Sequence, residues 1–323
     1  MLEFRITEDH AGVRLDKFLK KKLDRVPVSH LFKMIRVKKV RVNGKRAQPD
    51  QDLLLGDVVT IRGDEKQLLT PAPKSTEASG PLVTEADLAQ LKVLYEDEWL
   101  LVMDKPSGMA VHTGSGITGG TVVDVVRAYL GNKAVRNDFA ASPAHRLDRE
   151  TSGVIVVAKR RPAMVHFTDV FTHSKARKRY LALVKGTLVK PKDLIDLPLS
   201  EHQQTAKSKA ERGVNMQPAR TRYTLISQGD DCALVSCTIE TGRTHQIRRH
   251  MAAIGHPVLG DKKYGDFPFN REAKNRWGLK RLFLHAEAID FPHPEDGRRV
   301  AVEANLPREL VEVLNAVGLT LGR

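Results

Sequence analysis

The sequence has few of the residues that mark secreted or membrane-spanning proteins. It contains only two cysteines among 323 residues, Cys232 and Cys237. Both lie in one strand-like stretch at an odd spacing, so alternation points them to opposite faces and prevents a local disulfide. Free thiols suit a reducing compartment. No apolar run approaches the roughly 18 residues of a membrane span, and we expect no secretory signal at the start. The expectation is a cytoplasmic protein without membrane contact.

Motifs for nucleotide cofactors are also missing, because neither a glycine-rich dinucleotide fingerprint nor a P-loop is found. His245 and His250 are the nearest approach to a metal site, but this spacing separates them by about 140° on a helix. No cysteine or acidic cluster completes a ligand set. We expect neither a metal nor an organic cofactor.

Acidic residues are outnumbered, since 53 lysines and arginines against 39 aspartates and glutamates give a net charge of +14. The excess is concentrated between Arg14 and Arg46, where thirteen basic residues face two acidic ones. Such a cluster is typical of a surface that binds a polyanion, and nucleic acid is the expected partner. The residues expected to contact RNA are Arg14, Lys17, Lys33, Arg36, Lys38, Lys39 and Arg41.

The same segment has the pattern of a small α/β fold. Two amphipathic helices are predicted by apolar faces formed by Leu15, Phe18, Leu19 and Leu23, then by Leu31, Phe32, Met34 and Ile35. Asn43-Gly44 predicts a hairpin, and residues 53–61 a returning strand. Residues 1–63 are similar to an S4 RNA-binding domain in Arg14-Leu15-Asp16, the helix ending at Arg36, and Val40–Gly44. The alternative is a solvated basic face on a small module.

The rest of the chain divides into a linker and one large domain. From Asp64 to Gln90 prolines, glycine and polar residues mix without an apolar period, which predicts a flexible linker. Residues 91–323 then carry predicted strands at 99–103, 154–157, 180–184, 222–226, 233–239 and 282–289, with helices between some of them. Because strands and helices do not strictly alternate, we expect an α+β fold with a mainly antiparallel mixed sheet and a central cleft.

The nonapeptide from His145 to Gly153 is the most informative motif. It sets Asp148 among two arginines and a histidine, directly before the apolar run Val154–Val157, which reads as a buried strand. Nearby cations would keep such a carboxylate ionised at the rigid end of a sheet, an environment suited to a nucleophile. The alternative is a polar turn whose arginines bind phosphate or solvent.

Three further clusters carry candidate residues. A glycine-dense loop from Asp104 to Gly116, which includes His112, could approach a phosphate or base, although a tight surface connection is the simpler interpretation. Tyr180 opens a strand after a basic turn and could stack on a flipped base, although most strand tyrosines only pack. Arg248 follows Ile247 at the edge of an apolar helix face, where a bidentate pair with Asp148 could form.

Together these motifs resemble the RluA-type pseudouridine synthases. The resemblance rests on residues 145–153, Lys178-x-Tyr180-x-Ala182, residues 241–248, Gly260-Asp261-x-x-Tyr264-Gly265 and Leu284-His285-Ala286, which occur in the family's order. With the S4-like segment it spans nearly the whole chain. The wording of residues 111–116 and 149–152 is most similar to the RluC subfamily, whose members modify large-subunit ribosomal RNA.

The resemblance implies that a uridine in RNA has its N1–C1′ bond broken and a C5–C1′ bond formed, without a redox cofactor or metal. It implies that Asp148 is the essential carboxylate, which adds to the sugar or the ring or takes a proton from C2′. Tyr180 would stack on the base and help remove the C5 proton, Arg248 would pair with Asp148, and Arg146 would fill the space of the flipped base. The other expected substrate-binding residues are His145, Arg149, Lys178, His112 and Arg243.

Two other classes of function remain open at this point. A non-catalytic RNA-binding or ribosome-assembly factor would use the basic segment but has no reason to keep the carboxylate, tyrosine and arginine together. An N-glycosylase would use the same carboxylate but release free uracil. We also expect a monomer, because no coiled-coil heptad or large exposed apolar stripe is present.

Overall fold

The computed structural model describes residues 1–23, 26, 28–63, 83–89, 91–113, 119–136, 139–200 and 216–322. The chain divides into two compact units. The described part of the first holds residues up to 63 together with 135–136, 139–140 and 160–162, and the second holds the remainder. The domain boundaries stay a prediction. Residues 64–82 and 90 of the predicted linker lie outside the described ranges.

The first unit contains a four-stranded antiparallel sheet and two helices. Its elements are β1 (Leu2–Arg5), α1 (Leu15–Lys22), α2 (Val28–Arg36), β2 (Val40–Val42), β3 (Lys45–Arg46) and β4 (Val58–Ile61), and the strand order is β1-β4-β2-β3. Both helices bury most of their predicted apolar faces, with Leu15, Leu19 and Ile35 at most 3% exposed, but Phe32, predicted to face the core, is 43% exposed. This burial stabilises helices too short to persist alone.

The predicted hairpin of the first unit is present. Asn43 and Gly44 both have positive φ, 50° and 73°, as a type I′ turn requires, and Val42 pairs with Lys45 across it. The returning strand begins at Val58 and not at residue 53, which corrects the predicted boundary. The chain turns before Val58 because the Asp57 carboxylate accepts the Leu54 backbone N–H at 2.7 Å.

The second unit is built on a ten-stranded sheet. Its strands are β5 (Lys92–Glu96), β6 (Leu100–Lys105), β9 (Ser142–Pro143), β10 (Ser152–Ala158), β11 (Arg177–Lys185), β12 (Lys192–Asp196), β15 (Arg220–Gln228), β16 (Cys232–Ile239), β17 (Leu284–Pro292) and β18 (Arg299–Glu303). Their order across the sheet is β12-β15-β16-β11-β17-β10-β6-β5, with β9 paired to β10 and β18 to β17. Every pairing is antiparallel except β10 with β17, which confirms the predicted fold class.

The remaining elements are shorter strands and the helices. Two small hairpins are formed by β7 (Val135–Arg136) with β8 (Phe139–Ala140), and by β13 (Leu199–Ser200) with β14 (Met216–Gln217). The helices are α3 (Glu85–Ala89), α4 (Val122–Leu130), α5 (Arg161–Thr172), α6 (Gln246–Ala253), α7 (Phe267–Trp277) and α8 (Arg308–Val317). None of the helices in the described ranges is long and apolar enough to cross a bilayer.

Alternation along β11 and β16 divides the apolar side chains of the second unit between two cores. One core contains Tyr180, Ala182, Val184, Ala233, Val235 and Cys237, packed with Ile247 and Met251 of α6. The other contains Leu183, Cys232 and Leu234, packed with Trp277 of α7 and Leu310 of α8. The two cysteines are therefore buried on opposite faces as free thiols. Tyr180 and α6 share one face of the sheet.

Gly153 allows the parallel pairing between β10 and β17 in the middle of this sheet. Its φ is +112°, and a Cβ there would lie 2.1 Å from the carbonyl oxygen of Ala286 on β17. Only a residue without a side chain permits so close a backbone approach. The glycine at the end of the nonapeptide thus positions the loop that carries Asp148 against β17.

Candidate active site

A cavity of about 470 Å³ opens on the face of the sheet that carries Tyr180. Its walls include the loop 144–148 before β10, the start of β11, the end of β16 with the following loop 240–245, and α6. A volume of this size is typical of a small-molecule or nucleoside site. The three predicted catalytic residues, Asp148, Tyr180 and Arg248, all line it.

Asp148 and Arg248 are joined although they lie 100 residues apart. Nη1 of Arg248 donates to Oδ2 of Asp148 at 2.9 Å. This position follows from the packing of α6, because Ile247 and Met251 enter the core and leave Arg248 beside them at the cavity wall. The guanidinium places a fixed positive charge beside the carboxylate and limits the rotation of the Asp148 side chain.

Arg248 is itself held by a second carboxylate. Its Nε and Nη2 donate to Oδ2 and Oδ1 of Asp261 at 2.6 and 2.9 Å, and Oδ1 also accepts the backbone N–H groups of Lys263 and Tyr264. Burial alone would lower the pKa of Arg248 and raise that of Asp261, but the shared hydrogen bonds reverse both directions. Arg248 therefore stays charged and aimed at Asp148.

The opposite oxygen of Asp148 faces an imidazole. Nε2 of His245 lies 3.7 Å from Oδ1, and Nδ1 of the same ring lies 3.0 Å from the Tyr264 hydroxyl. His245 has φ 54° and ψ 29°, so its backbone is in the left-handed region directly before α6. Desolvation, with the charges of Arg248 and Lys263, lowers the pKa of His245 overall.

Tyr180 is 6% exposed and lies on the strand that forms the cavity floor. Burial, with a further contribution from the charge on Asp148, raises the pKa of its phenol well above the usual range. The hydroxyl is therefore protonated at neutral pH. Its side chain contributes to the wall of the cavity that also contains Asp148.

Four predicted substrate-binding residues, His145, Arg146, Lys178 and Arg243, also line this cavity. Lys178 places its Nζ 4.0 Å from the centre of the Phe171 ring, and burial lowers its pKa to about 8. Nε of Arg243 donates to the carbonyl of Pro218 at 3.1 Å. Basic groups thus surround the site on several sides.

The cations next to Asp148 in sequence are not its partners, contrary to expectation. Nε2 of His145 accepts the backbone N–H of Val156 at 3.1 Å, and burial, with the charge on Lys178, lowers the His145 pKa to about 3. Nε of Arg149 donates to the carbonyl of Gly108 at 2.8 Å. Both side chains instead bond to backbone groups, and the cation that is hydrogen-bonded to Asp148 is Arg248, 100 residues further along the chain.

A second cavity of about 660 Å³ adjoins the same loop. It is lined by the predicted residues His112 and Arg149, and it shares Arg146, Asp148 and His245 with the first cavity. All nine predicted catalytic and substrate-binding residues thus line these two cavities, while their roles stay predictions. The predicted loop residues 114–116 lie outside the described ranges.

Lys105 joins the loop that follows β6 to the loop that carries Asp148. It is fully buried, and its Nζ donates to the carbonyls of Pro106, Met109 and Arg149 at 2.9, 2.9 and 3.1 Å. Burial lowers its pKa to about 7. Three carbonyl acceptors satisfy all three ammonium protons and tie two loops together.

The predicted RNA-binding residues of the first unit lie at its surface. Arg14, Lys17, Lys33, Arg36, Lys38 and Lys39 are exposed, whereas Arg41 is half-buried. Nη2 of Arg14 pairs with Asp16 at 2.8 Å, and Nη1 of Arg41 donates to the Gly44 carbonyl at 3.0 Å. Because most of these charges are exposed, they are accessible to phosphate groups.

Comparison with known proteins gives the family. Residues 99–253 match the family RNA pseudouridylate synthase, and residues 13–59 match the S4 domain. The chain is 37% identical over 317 residues to the ribosomal large subunit pseudouridine synthase C of Pasteurella multocida, covering 97% of this chain and 92% of that protein. The chain belongs to the RNA pseudouridylate synthase family. It is an RNA pseudouridine synthase, which removes the alternative of a non-catalytic RNA-binding factor.

Two further relatives agree with this assignment. The synthase is 37% identical over 312 residues to the ribosomal large subunit pseudouridine synthase C of Escherichia coli K12, covering 96% of this chain and 94% of that protein. The solved structure of human RNA pseudouridylate synthase domain containing 4 is 28% identical, covers 72% of this chain and 95% of its own, and has a TM-score of 0.58. Sequence and fold therefore both assign the chain that forms this cavity to a known enzyme family.

Three residues of the site have no catalytic role predicted from the sequence. Asp261 and Tyr264 belong to the motif Gly260-Asp261-x-x-Tyr264-Gly265, and the spacing of His245 from His250 bears only on a metal site. No group of three His, Cys, Asp or Glu side chains in the described ranges is arranged to hold a metal ion. The sequence signal for Asp261 and Tyr264 is the polar motif that contains them. This motif does not lie next to a predicted strand or helix, so its polar residues have no obvious structural purpose and suggest a functional one.

Proposed function

We propose that this enzyme isomerises uridine to pseudouridine in large-subunit ribosomal RNA, with Asp148 as the essential carboxylate. The observation that carries the proposal is the Asp148 carboxylate held by Arg248 at 2.9 Å in a cavity floored by Tyr180. A uridine must leave its stack to reach such a site, and extrusion costs a few kcal/mol. Stacking and phosphate contacts with the surrounding basic groups offset this cost.

The reaction balances without an added reactant. The N1–C1′ bond breaks, the uracil turns within the cavity, C5 bonds to C1′, and the proton lost from C5 is balanced by one gained at N1. In each route open to Asp148, a charged carboxylate must act at the sugar or the ring. Arg248 and Asp261 keep that charge in place, because Arg248 cannot give up its proton under working conditions.

Tyr180 takes two roles in this proposal. Its ring packs against the flipped uracil, and its hydroxyl assists removal of the C5 proton. Since its phenol is protonated, it accepts that proton only by passing its own onward, and Asp148 is the charged group beside it. Arg146 fills the space that the flipped base leaves, while His145, Arg149, Lys178, His112 and Arg243 shape the path of the RNA.

We also infer that the two units divide the work. Residues 1–63 would bind RNA through Arg14, Lys17, Lys33, Arg36, Lys38, Lys39 and Arg41, residues 64–90 would link, and residues 91–323 would catalyse. Support comes from the S4 match and the exposed cations. We further propose a cytoplasmic monomer that needs no redox cofactor or metal, since an isomerisation transfers no net electrons. Light scattering would test the monomer, and activity after exhaustive chelation would test the independence from metal ions.

The experiment that tests the proposal is pseudouridine mapping on ribosomal RNA transcripts treated with the full chain. We expect pseudouridine in the large-subunit transcript and none in the small-subunit transcript. Asp148→Asn, which keeps the shape and removes the charge, should lower the rate on the order of 10³-fold or more. Near-normal turnover by this variant would refute the role of Asp148. Release of free uracil would indicate a glycosylase instead.

A further inference from the structure

His245 is the one described residue outside the loop 144–148 that lines both cavities beside Asp148. Its side chain is 20% exposed, and its ring lies edge-on to Tyr264 with centroids 5.5 Å apart. The imidazole thus stands between the carboxylate and a phenol. The reaction described above uses the arginine on the other carboxylate oxygen and leaves this side chain without a role.

The backbone of His245 adopts a conformation that residues other than glycine rarely take. Its φ of 54° and ψ of 29° lie in the left-handed region. The surrounding structure holds it there: the Arg249 N–H donates to the His245 carbonyl at 2.9 Å, and the Arg243 N–H donates to Oε1 of Gln246 at 3.1 Å. Non-glycine residues in this region cluster at functional sites, where the fold imposes them.

We propose that His245 is a positioning residue that holds Oδ1 of Asp148 while Arg248 holds Oδ2. In this arrangement the ring proton is on Nε2, the atom that faces the Asp148 carboxylate, and Nδ1, which lies 3.0 Å from the Tyr264 hydroxyl, accepts from it. The Nε2–Oδ1 distance of 3.7 Å in the free enzyme shortens to a hydrogen bond when a uridine is seated, as such contacts commonly do on substrate binding. This inference rests on the proposed function.

The charges around the ring agree with a neutral imidazole. Asp148 and Asp261 favour its protonated form, whereas burial, Arg248 and Lys263 oppose it, and the pKa of His245 is lowered overall. A neutral imidazole has one ring proton, and the Asp148 carboxylate can only accept, so contact with it favours the proton on Nε2. The other ring partner, Tyr264, is held by its own backbone N–H bond to Asp261, the carboxylate that fixes Arg248.

Two amide substitutions separate this role from a purely structural one. The side-chain amide of Gln reaches the place of Nε2, whereas that of Asn reaches only the place of Nδ1. Asn tolerates the left-handed backbone better than Gln. A structural role therefore predicts that His245→Asn is the better variant, and a positioning role predicts that His245→Gln is.

The test is single-turnover conversion of a large-subunit RNA transcript at saturating enzyme, with RNA affinity and melting temperature measured in parallel. We expect His245→Asn to lose about 10²-fold in rate with unchanged affinity, as for a misplaced reacting group, and His245→Gln to stay near wild type. Equal rates for both variants, or a better Asn variant, would overturn the proposal. If His245→Gln does not fold, Tyr264→Phe serves instead, and its rate should fall roughly 3- to 10-fold; a wild-type rate would overturn it.

The same assay distinguishes this inference from the proposed function. If wild-type enzyme forms no pseudouridine in the transcript, the proposed function fails and the inference fails with it. If the wild type is active and Asp148→Asn is inactive, but His245→Asn reacts at the wild-type rate, only the inference fails.

Discussion

Positive charge is used in different ways by the two units. In the first, Lys33, Arg36 and Lys39 are exposed to solvent. There, dissolved salt screens their electrostatic interactions beyond about 10 Å at 0.1 M ionic strength. In the second, Arg248 is 8% exposed and hydrogen-bonded to two carboxylates. Exposed charge supplies affinity, and buried paired charge supplies fixed geometry. Counting lysines and arginines locates the first kind of site and says nothing of the second.

Among the variants that separate the reaction rate from RNA affinity, Tyr180→Phe should have the largest effect. This variant keeps the ring and removes the hydroxyl, so RNA affinity should hardly change while the rate falls on the order of 10²-fold or more. Slower C5 proton removal should also become visible as an isotope effect with uridine deuterated at C5. Tyr223→Phe, another buried tyrosine at 4% exposure but outside the cavity, is the matched control. Equal behaviour of the two variants would deny Tyr180 a chemical role.

Asp261→Asn sharpens the comparison on the buried side. The substitution keeps the shape but leaves the Arg248 charge with one carboxylate, so we expect a loss of about 3 kcal/mol in unfolding free energy. The rate should fall roughly 10²-fold because Arg248 no longer points firmly at Asp148. Thermal denaturation and single-turnover kinetics measure the two effects.

Asp196→Asn is the control for Asp261→Asn, since Asp196 pairs with Arg220 at 2.9 Å with both side chains about half exposed. Such a surface pair contributes little, about 0 to 1 kcal/mol. A similar loss of stability in both variants would show that burial does not govern the strength of these pairs.

Lys178 tests whether a half-buried lysine acts through its charge. Burial lowers its pKa to about 8, so the charged form dominates below that pH and is lost above it. If the charge binds RNA, kcat/KM should decline as pH rises through about 8. Lys178→Arg keeps its charge and should not show this decline, whereas Lys178→Gln should be lower at all pH values. A decline that persists unchanged in Lys178→Arg would assign it to another group.

The smallest expected effects come from the exposed cations. Replacing Lys33, Arg36 and Lys39 together by Gln should weaken RNA binding and flatten its salt dependence, by up to about one unit of slope per lost phosphate contact. The rate at saturating RNA and the melting temperature should not change. The control neutralises three exposed cations of the second unit, Arg271, Lys274 and Lys280. An equal loss of affinity in the control would mean that only total charge matters.

The sequence predicted most elements with strong apolar periodicity and missed those without it. The strands Lys92–Glu96 and Lys192–Asp196 are largely exposed or half-buried and lie at sheet edges, so their extended state depends on pairing with a neighbour. The helix Phe267–Trp277 buries only Ala273 and Trp277. Its end signals, Asp266 at the N-cap and Gly278 at the C-cap, were readable but have little weight without an apolar face.

The helix Arg308–Val317 was also missed, although its pattern was present. Leu310, Val313 and Leu314 are buried at spacings typical of an amphipathic helix, and Gly318 ends it in the left-handed conformation. In this case the information lay in the sequence. For the edge strands it did not.

The residue types of the site, the basic first unit and the mainly antiparallel class could be predicted from the sequence alone, because helix and strand periods and local charge are properties of short segments. Which cation holds Asp148 could not. His145 and Arg149 lie next to it in sequence but turn to backbone partners, whereas Arg248 reaches it across the sheet. Side-chain direction depends on how α6 packs against β15, where Gln246 and His250 both bond to Thr221, and that packing is set by the whole core and by no single motif.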